Sequence, residues 1–155
     1  GVATLKRVAT GEPCNKANAA ATRLRNKLNE LFEAREWPWV AYGDFSEAGG
    51  HAAMTDLLAR APDLDAVFAA SDLMAGGALR ALRAAGRRVP EDVALAGFED
   101  APVARQTEPP LTTVHQPVEE MGRRMAELLI ARISRQPVED SHVLLDTHLV
   151  RRASA

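Results

Sequence analysis

The stretch Ala66 to Gly86, AVFAASDLMAGGALRALRAAG, decides how this chain folds. Asp65 to Ala70 is short and continuously apolar, the pattern of a strand buried on both faces of a parallel sheet. At Ser71-Asp72 the apolar run stops. Leu73 to Ala85 then repeats Leu and Ala at helical spacing and ends at Gly86, so a strand passes directly into a helix with Asp72 as a good N-cap.

The same rhythm extends in both directions. Downstream, Pro90 introduces a second apolar strand, Asp92 to Phe98. Upstream, Gly49 to Arg60 predicts a helix with Ala53, Met54, Leu57 and Leu58 inward, Ser46 able to cap it and Pro62 at its exit. Before it, Trp39 to Tyr42 reads as a strand closed by Gly43-Asp44, Ala17 to Ala34 as a helix, and Val2 to Leu5 as a short strand. This β-α-β-α alternation calls for a parallel sheet with helices on both faces, a doubly wound α/β architecture. Beyond Phe98 the pattern changes. Glu99 to Pro110 reads as a long loop and Leu111 to Val114 as a short extended piece. Pro117 to Ser134 is a helix carrying Val118, Met121, Met125, Leu128, Leu129 and Ile133 in one stripe, with Pro at its start. His142 to Val150 is a last strand.

Composition narrows the function classes. A chain of 155 residues, 46% apolar and 26% charged, is one domain with enough core to bury roughly two thirds of its unfolded surface. No apolar run approaches the ~20 residues of a membrane span, and the start of the chain lacks the pattern of a secretory signal, so the expected compartment is the cytoplasm. Cys14 is alone, which excludes an internal disulfide framework. The net charge of -2 sums mixed signs, and the pairs Arg87-Arg88, Arg123-Arg124 and Arg151-Arg152 read as solvated surface pairs rather than a phosphate-binding stripe.

Ligands of open α/β sheets bind beyond the carboxyl ends of the strands. This sequence places Gly11 and Glu12, Asp44 and Phe45, Ser71 and Asp72, Glu99 and Asp100, and Gln116 there. Each has a plain structural alternative, capping or solvation for the polar residues and core packing for Phe45. Together they predict a pocket rich in hydrogen-bonding groups with Phe45 as a stacking face. Carboxylates and an arginine beside an aromatic ring suit a polyhydroxylated ligand. A carboxylate accepts from neighbouring hydroxyls, a guanidinium donates to others, and a ring covers the C–H face of a sugar.

The run AVFAASDLMAGGALRALRAAGRRVPEDVALAGFEDAPVARQTEPPLTTVHQPVEEMGRRMAELL from Ala66, the upstream YGDFSEAGGHAAMTDLLAR and the final HLVRRASA resemble the effector-binding domain of LacI/GalR-family transcriptional regulators. The resemblance covers Val40 to Ala155. It implies a periplasmic-binding-protein-like fold of which this chain is an incomplete, mostly C-terminal part. It divides the chain into residues 1–116 as the C-terminal subdomain, 117–147 as a helix and strand belonging to the N-terminal subdomain, and 148–155 as a return segment and tail. The DNA-binding headpiece is expected to lie outside this chain.

By the same resemblance, the ligand-binding residues are Arg23, Phe45, Ser71, Asp72, Glu99 and Gln116. Arg23 grips hydroxyls or a carboxylate, although Asn26-Lys27 replaces the Gly-aromatic pair that normally follows it. Phe45 stacks on the effector, and Ser71-Asp72 is a polar pair at the cleft. Glu99 stands where Asp is usual and reaches one carbon further, and Gln116 lies at the subdomain crossover. The implied partners are a sugar-like effector, a second copy in a homodimer, and operator DNA through the headpiece. In the family, the helix Leu73 to Ala85 and the loop after Asp100 contribute to the dimer face.

A transport-linked sugar-binding protein of the same fold is the alternative, which LTTVHQPVEEMG and HLVRR disfavour. An enzyme is not expected. The chain has no G-x-S-x-G, G-x-x-x-x-G-K-[ST] or H-E-x-x-H, and His51, His115, His142 and His148 show no ligand spacing, so neither metal nor cofactor is predicted. Taken alone, the helix from Pro117 exposes an apolar stripe that must pack against another surface, in this chain or a second copy.

Overall fold

The computed structural model describes residues 44–137 and 143–155, with isolated positions between 19 and 35. The expected strands at Val2 to Leu5 and Trp39 to Tyr42 lie outside the described residues, as do Gly11, Glu12 and Cys14. Of the expected helix Ala17 to Ala34, the described positions, among them Arg23, Asn26, Lys27 and Leu28, are helical.

Helix α1 spans Glu47–Arg60 and starts where Ser46 caps it, the Ser46 Oγ accepting from the Gly49 N–H at 2.9 Å. Glu47 in its first turn and Arg60 in its last both complement the helix dipole. Strand β1 is Ala66–Phe68, and α2 follows at Asp72–Ala84. Its cap differs from the expectation: Ser71, not Asp72, is the N-cap, with its Oγ accepting from the Met74 N–H at 3.2 Å. The chain leaves α2 through Gly86, whose φ of 73° is a conformation that glycine adopts without strain. Strand β2, Ala94–Glu99, comes next. The segment expected to be an unbroken loop contains one short turn of helix, α3, at Val103–Gln106. Strand β3 is Thr112–His115, α4 is Val118–Ile133, and β4 is His148–Val150, shorter than the strand expected from His142.

The sheet runs in the order β1-β2-β3-β4. β1, β2 and β3 are mutually parallel, with Val67 opposite Leu95 and Ala96 opposite Thr112; β4 joins β3 antiparallel, with Thr113 opposite Val150. The architecture is therefore a mixed α/β fold with a parallel-dominated sheet. β1 is not buried on both faces as expected. It is the outer strand of the described sheet, and Ala66 and Phe68 are exposed while Val67 turns inward.

The core lies between α2 and the sheet. Leu79 and Leu82 of α2 meet Val93, Leu95 and Leu111, and Met54 of α1 joins them, all buried. Small residues let the two helices approach closely. A Cβ on Gly50 would fall on the Met74 carbonyl oxygen, and one on Gly77 would fall on that of Glu47. The amino-terminal halves of α1 and α2 therefore lie side by side.

The far end of the chain locks the sheet. Ser154, fully buried, accepts from the Thr112 N–H at 2.8 Å and donates to the Leu95 carbonyl at 2.5 Å. The Leu95 N–H in turn donates to the Ser154 carbonyl at 2.7 Å. Arg152 is not the solvated arginine expected: its guanidinium donates to the Leu111 carbonyl and to Asp100, with only 15% of the side chain exposed. In contrast, α4 has no buried residue, and Met125, Leu129 and Ile133 are all more than half exposed. Met121 and Leu128 of the stripe are half-buried, but the described residues do not supply the full packing predicted from sequence.

Candidate functional site

At the carboxyl edge of the sheet β2 ends on Glu99 and β3 on His115, and the two residues are in register. The chain then turns sharply, with φ of 105° at Glu99 and 55° at Asp100. Such angles cost a non-glycine residue about 1–3 kcal/mol each and persist only where the surroundings enforce them. The enforcing groups are visible. The Ala101 N–H donates to Asp72 Oδ2 at 2.7 Å, and the Asp100 N–H donates to Thr113 Oγ1 at 3.4 Å. The Thr113 hydroxyl donates onward to Asp72 Oδ1 at 2.6 Å. Gly97 of β2 makes room for this arrangement, because a Cβ there would collide with the same carboxylate oxygen.

The Asp100 side chain is also held. Its Oδ1 accepts from Arg152 at 2.5 Å, and its Oδ2 faces Arg105 at 3.3 Å and His115 Nδ1 at 3.5 Å. Burial pushes the Asp100 carboxyl up, but the hydrogen bonds and charges of Arg152 and Arg105 outweigh it and hold the group below its usual value. Glu99 behaves oppositely. Burial first, and the charge of Asp72 second, raise its carboxyl above the ordinary range.

These residues form one wall of an open cavity of about 720 Å³. Glu99, Asp100, His115 and Gln116 line it from the sheet edge, and Pro117, Glu119 and Arg123 line it from the start of α4. Gln116 is fixed by its Nε2, which lies 3.4 Å from Met121 Sδ. The cavity thus carries carboxylate, amide and imidazole groups beside the apolar surface of Pro117 and Val118, a combination suited to a small molecule with several hydroxyls.

Of the residues expected at the site, Glu99 and Gln116 share this concavity. Ser71 and Asp72 do not line it. Both are buried, Ser71 as a helix cap and Asp72 as the acceptor that shapes the turn above it. Phe45 sits before α1, 55% exposed and with φ of 50°, outside the cavity lining. Arg23 is an exposed helical residue that likewise does not line it. The sequence placed Asp100 at this edge but left it out of the ligand-binding set, and it assigned no role here to His115 or Glu119. Asp100 was signalled by its position beside Glu99 at a strand end. Glu119 carried no signal, because an acidic residue in the first turn of a helix is ordinary dipole complementation. Among the described residues no cluster of metal-ligating side chains occurs, and no helix is long and apolar enough to cross a membrane.

Residues 10–155 match the model of the periplasmic binding protein-like domain. The chain is 59% identical over 115 residues to the HTH-type transcriptional regulator CelR of Thermobifida fusca, covering 74% of this chain and 34% of that protein. It is 36% identical over 140 residues to the HTH-type transcriptional repressor PurR of Edwardsiella ictaluri, covering 88% and 41%. Among solved structures, a transcriptional regulator CelR–cellobiose complex superposes with a TM-score of 0.73 at 54% identity, over 81% of this chain and 40% of that one. A LacI family transcriptional regulator from Arthrobacter in complex with lactose superposes with a TM-score of 0.62 at 35% identity, over 70% and 42%. The chain spans between 34% and 41% of the length of these curated relatives. With the parallel-dominated sheet and the matched length, the chain belongs to the periplasmic binding protein-like domain family, as the C-terminal part of a LacI/GalR-type effector-binding domain.

Proposed function

We propose that this chain is the effector-sensing and dimerisation part of a LacI-type transcriptional regulator that binds a sugar-like molecule at the carboxyl edge of its sheet. The observation that carries this reading is the cavity at Glu99 and Gln116, in a fold 54% identical to a regulator solved with cellobiose. In this reading the chain senses its ligand rather than turning it over, which its similarity to transcriptional regulators supports.

In this reading residues 117–147 belong to a second subdomain, and the exposed stripe of α4 is the face it covers. The effector favours one arrangement of the two subdomains, and operator affinity shifts by no more than its difference in affinity for the two states. The regulator acts as a homodimer in the cytoplasm, with its DNA contacts made by a headpiece outside this chain. Phe45, Ser71, Asp72 and Arg23 support the ligand from the same edge, Asp72 through the turn it shapes.

Calorimetric titration of cellobiose, lactose, ribose and a set of nucleosides into the purified protein, in the longest form its reading frame encodes, tests the proposal. A disaccharide should bind at micromolar affinity or better, and Glu99→Ala and Phe45→Ala should each weaken it at least about tenfold, the loss of one charge-assisted or stacking contact. Binding of nucleosides with no response to any sugar overturns it.

A further inference from the structure

Charge balance inside the cavity discriminates between ligands of similar shape. Its lining contains the carboxylates of Glu99, Asp100, Glu119 and Glu120. Asp100 is neutralised by Arg152 and Arg105, and Glu120 by Arg123 and Arg124. Glu99 and Glu119 have no cationic partner among the described residues. The one arginine of the lining directs three of its five N–H donors to carboxylates, its Nε and Nη2 to Glu120 and its Nη1 to Glu127 at 2.5 Å. His115 faces Asp100, and the buried carboxylate of Asp72 lies close enough to Glu99 to act on its charge. Among the described residues the lining therefore carries more carboxylates than cations, and its one arginine already faces two of them.

We propose that this cavity selects its sugar by charge, Glu99 and Glu119 admitting neutral or amino-bearing sugars and repelling phosphorylated or carboxylated ones. The inference rests on the sugar-binding reading above and narrows it to a ligand class. Two carboxylates can accept from neutral hydroxyls or from an ammonium group, whereas a phosphate or carboxylate on the ligand meets like charge with no compensating donor. Recognition of a sugar phosphate ordinarily places an arginine fork or lysine against the anion, and the charge of Arg123 is already balanced by the Glu120 and Glu127 carboxylates it faces.

Three disaccharides sharing one ring-and-linkage frame test this by calorimetry: cellobiose, its 6-phosphate, and the diamino disaccharide of glucosamine. Cellobiose and the diamino sugar should bind within a few-fold of each other, and the phosphate at least about tenfold more weakly. Raising the salt from about 0.05 to about 0.5 M should narrow that gap, because the repulsion is screened. Glu99→Gln should reduce the gap about threefold, and so should Glu119→Gln, an exposed position whose substitution leaves the fold intact. A phosphate that binds as tightly as cellobiose, or a gap unmoved by salt and by both substitutions, overturns charge selection while leaving sugar binding in place. Failure of all three probes to bind overturns the sugar-binding reading itself, and the charge rule with it.

Discussion

Thr113 and Asp72, 41 residues apart in the sequence, meet in a buried 2.6 Å hydrogen bond that ties the start of α2 to strand β3. The second oxygen of Asp72 holds the Ala101 N–H, so one carboxylate joins a helix, a strand and the turn between β2 and β3. Asp72→Asn replaces one acceptor oxygen by a donor and leaves either the amide or the hydroxyl unanswered, which should cost about 1–3 kcal/mol in urea denaturation. Gly97→Ala should cost as much by displacing the carboxylate from β2, and a cycle of the two changes should be clearly non-additive. Additive costs would show that Gly97 and Asp72 are not coupled.

The α1–α2 contact gives a paired test within one helix. Gly77→Ala places a methyl on the Glu47 carbonyl oxygen and should destabilise the fold by about 1–3 kcal/mol. At the adjacent Gly76 nothing lies within 4 Å of the added carbon, so Gly76→Ala should stabilise by about 0.5–1 kcal/mol through helix propensity alone. Melts of the two variants should move in opposite directions.

The two carboxyls at the turn respond to pH with opposite sign. Asp100 titrates below its ordinary value in the folded chain, so its pairing contributes stability above about pH 4 that is lost as the pH falls through the lower folded value. Glu99 titrates above its ordinary value, so its favourable contribution is present below about pH 4 and lost as the pH rises through the raised one. Glu99→Gln should therefore raise the melting temperature at pH 7, and the gain should fade in acid. Asp100→Asn should lower it at pH 7 and flatten the acid limb. Thermal melts from pH 3 to 7 check both.

The tail contributes more than its position suggests. Ser154→Ala leaves the Thr112 N–H without its acceptor and the Leu95 carbonyl without its Ser154 donor, at a cost of about 1–3 kcal/mol. Arg152→Ala leaves a mostly buried Asp100 carboxylate with only the exposed Arg105 as arginine partner and should cost about 1–3 kcal/mol. A stability change under about 0.5 kcal/mol in either variant, the range of ordinary surface substitutions, would mean the tail is not part of the sheet's cooperative unit.

What could be read beforehand follows from what is local. Alternation of apolar runs with small-residue helices marked β1, α2, β2, β3 and α4 within a few residues, because periodicity and caps are short-range properties. The exposure of Ala66 and Phe68 on β1 was not legible, since a continuous apolar run looks the same whether one face or two are covered. Ser71 and Asp72 are both good capping residues, and only the placement of Thr113 and Ala101 decides which one caps and which one clamps. The strand-end rule and the family resemblance both named Glu99 and Gln116, and the fold brings these two to one concavity. Neither could show that Arg152 reaches Asp100, because that pairing depends on a return of the chain across 52 residues.

The tethered turn at Glu99-Asp100 bears on affinity in a way that contact lists miss. Its unfavourable backbone angles are fixed by Asp72 and Thr113 before any ligand arrives, so a guest meets a preorganised rim and loses little further entropy in ordering it. On the proposed reading, loosening Asp72 should therefore weaken recognition chiefly by speeding departure of the guest, although Asp72 lies outside the cavity lining.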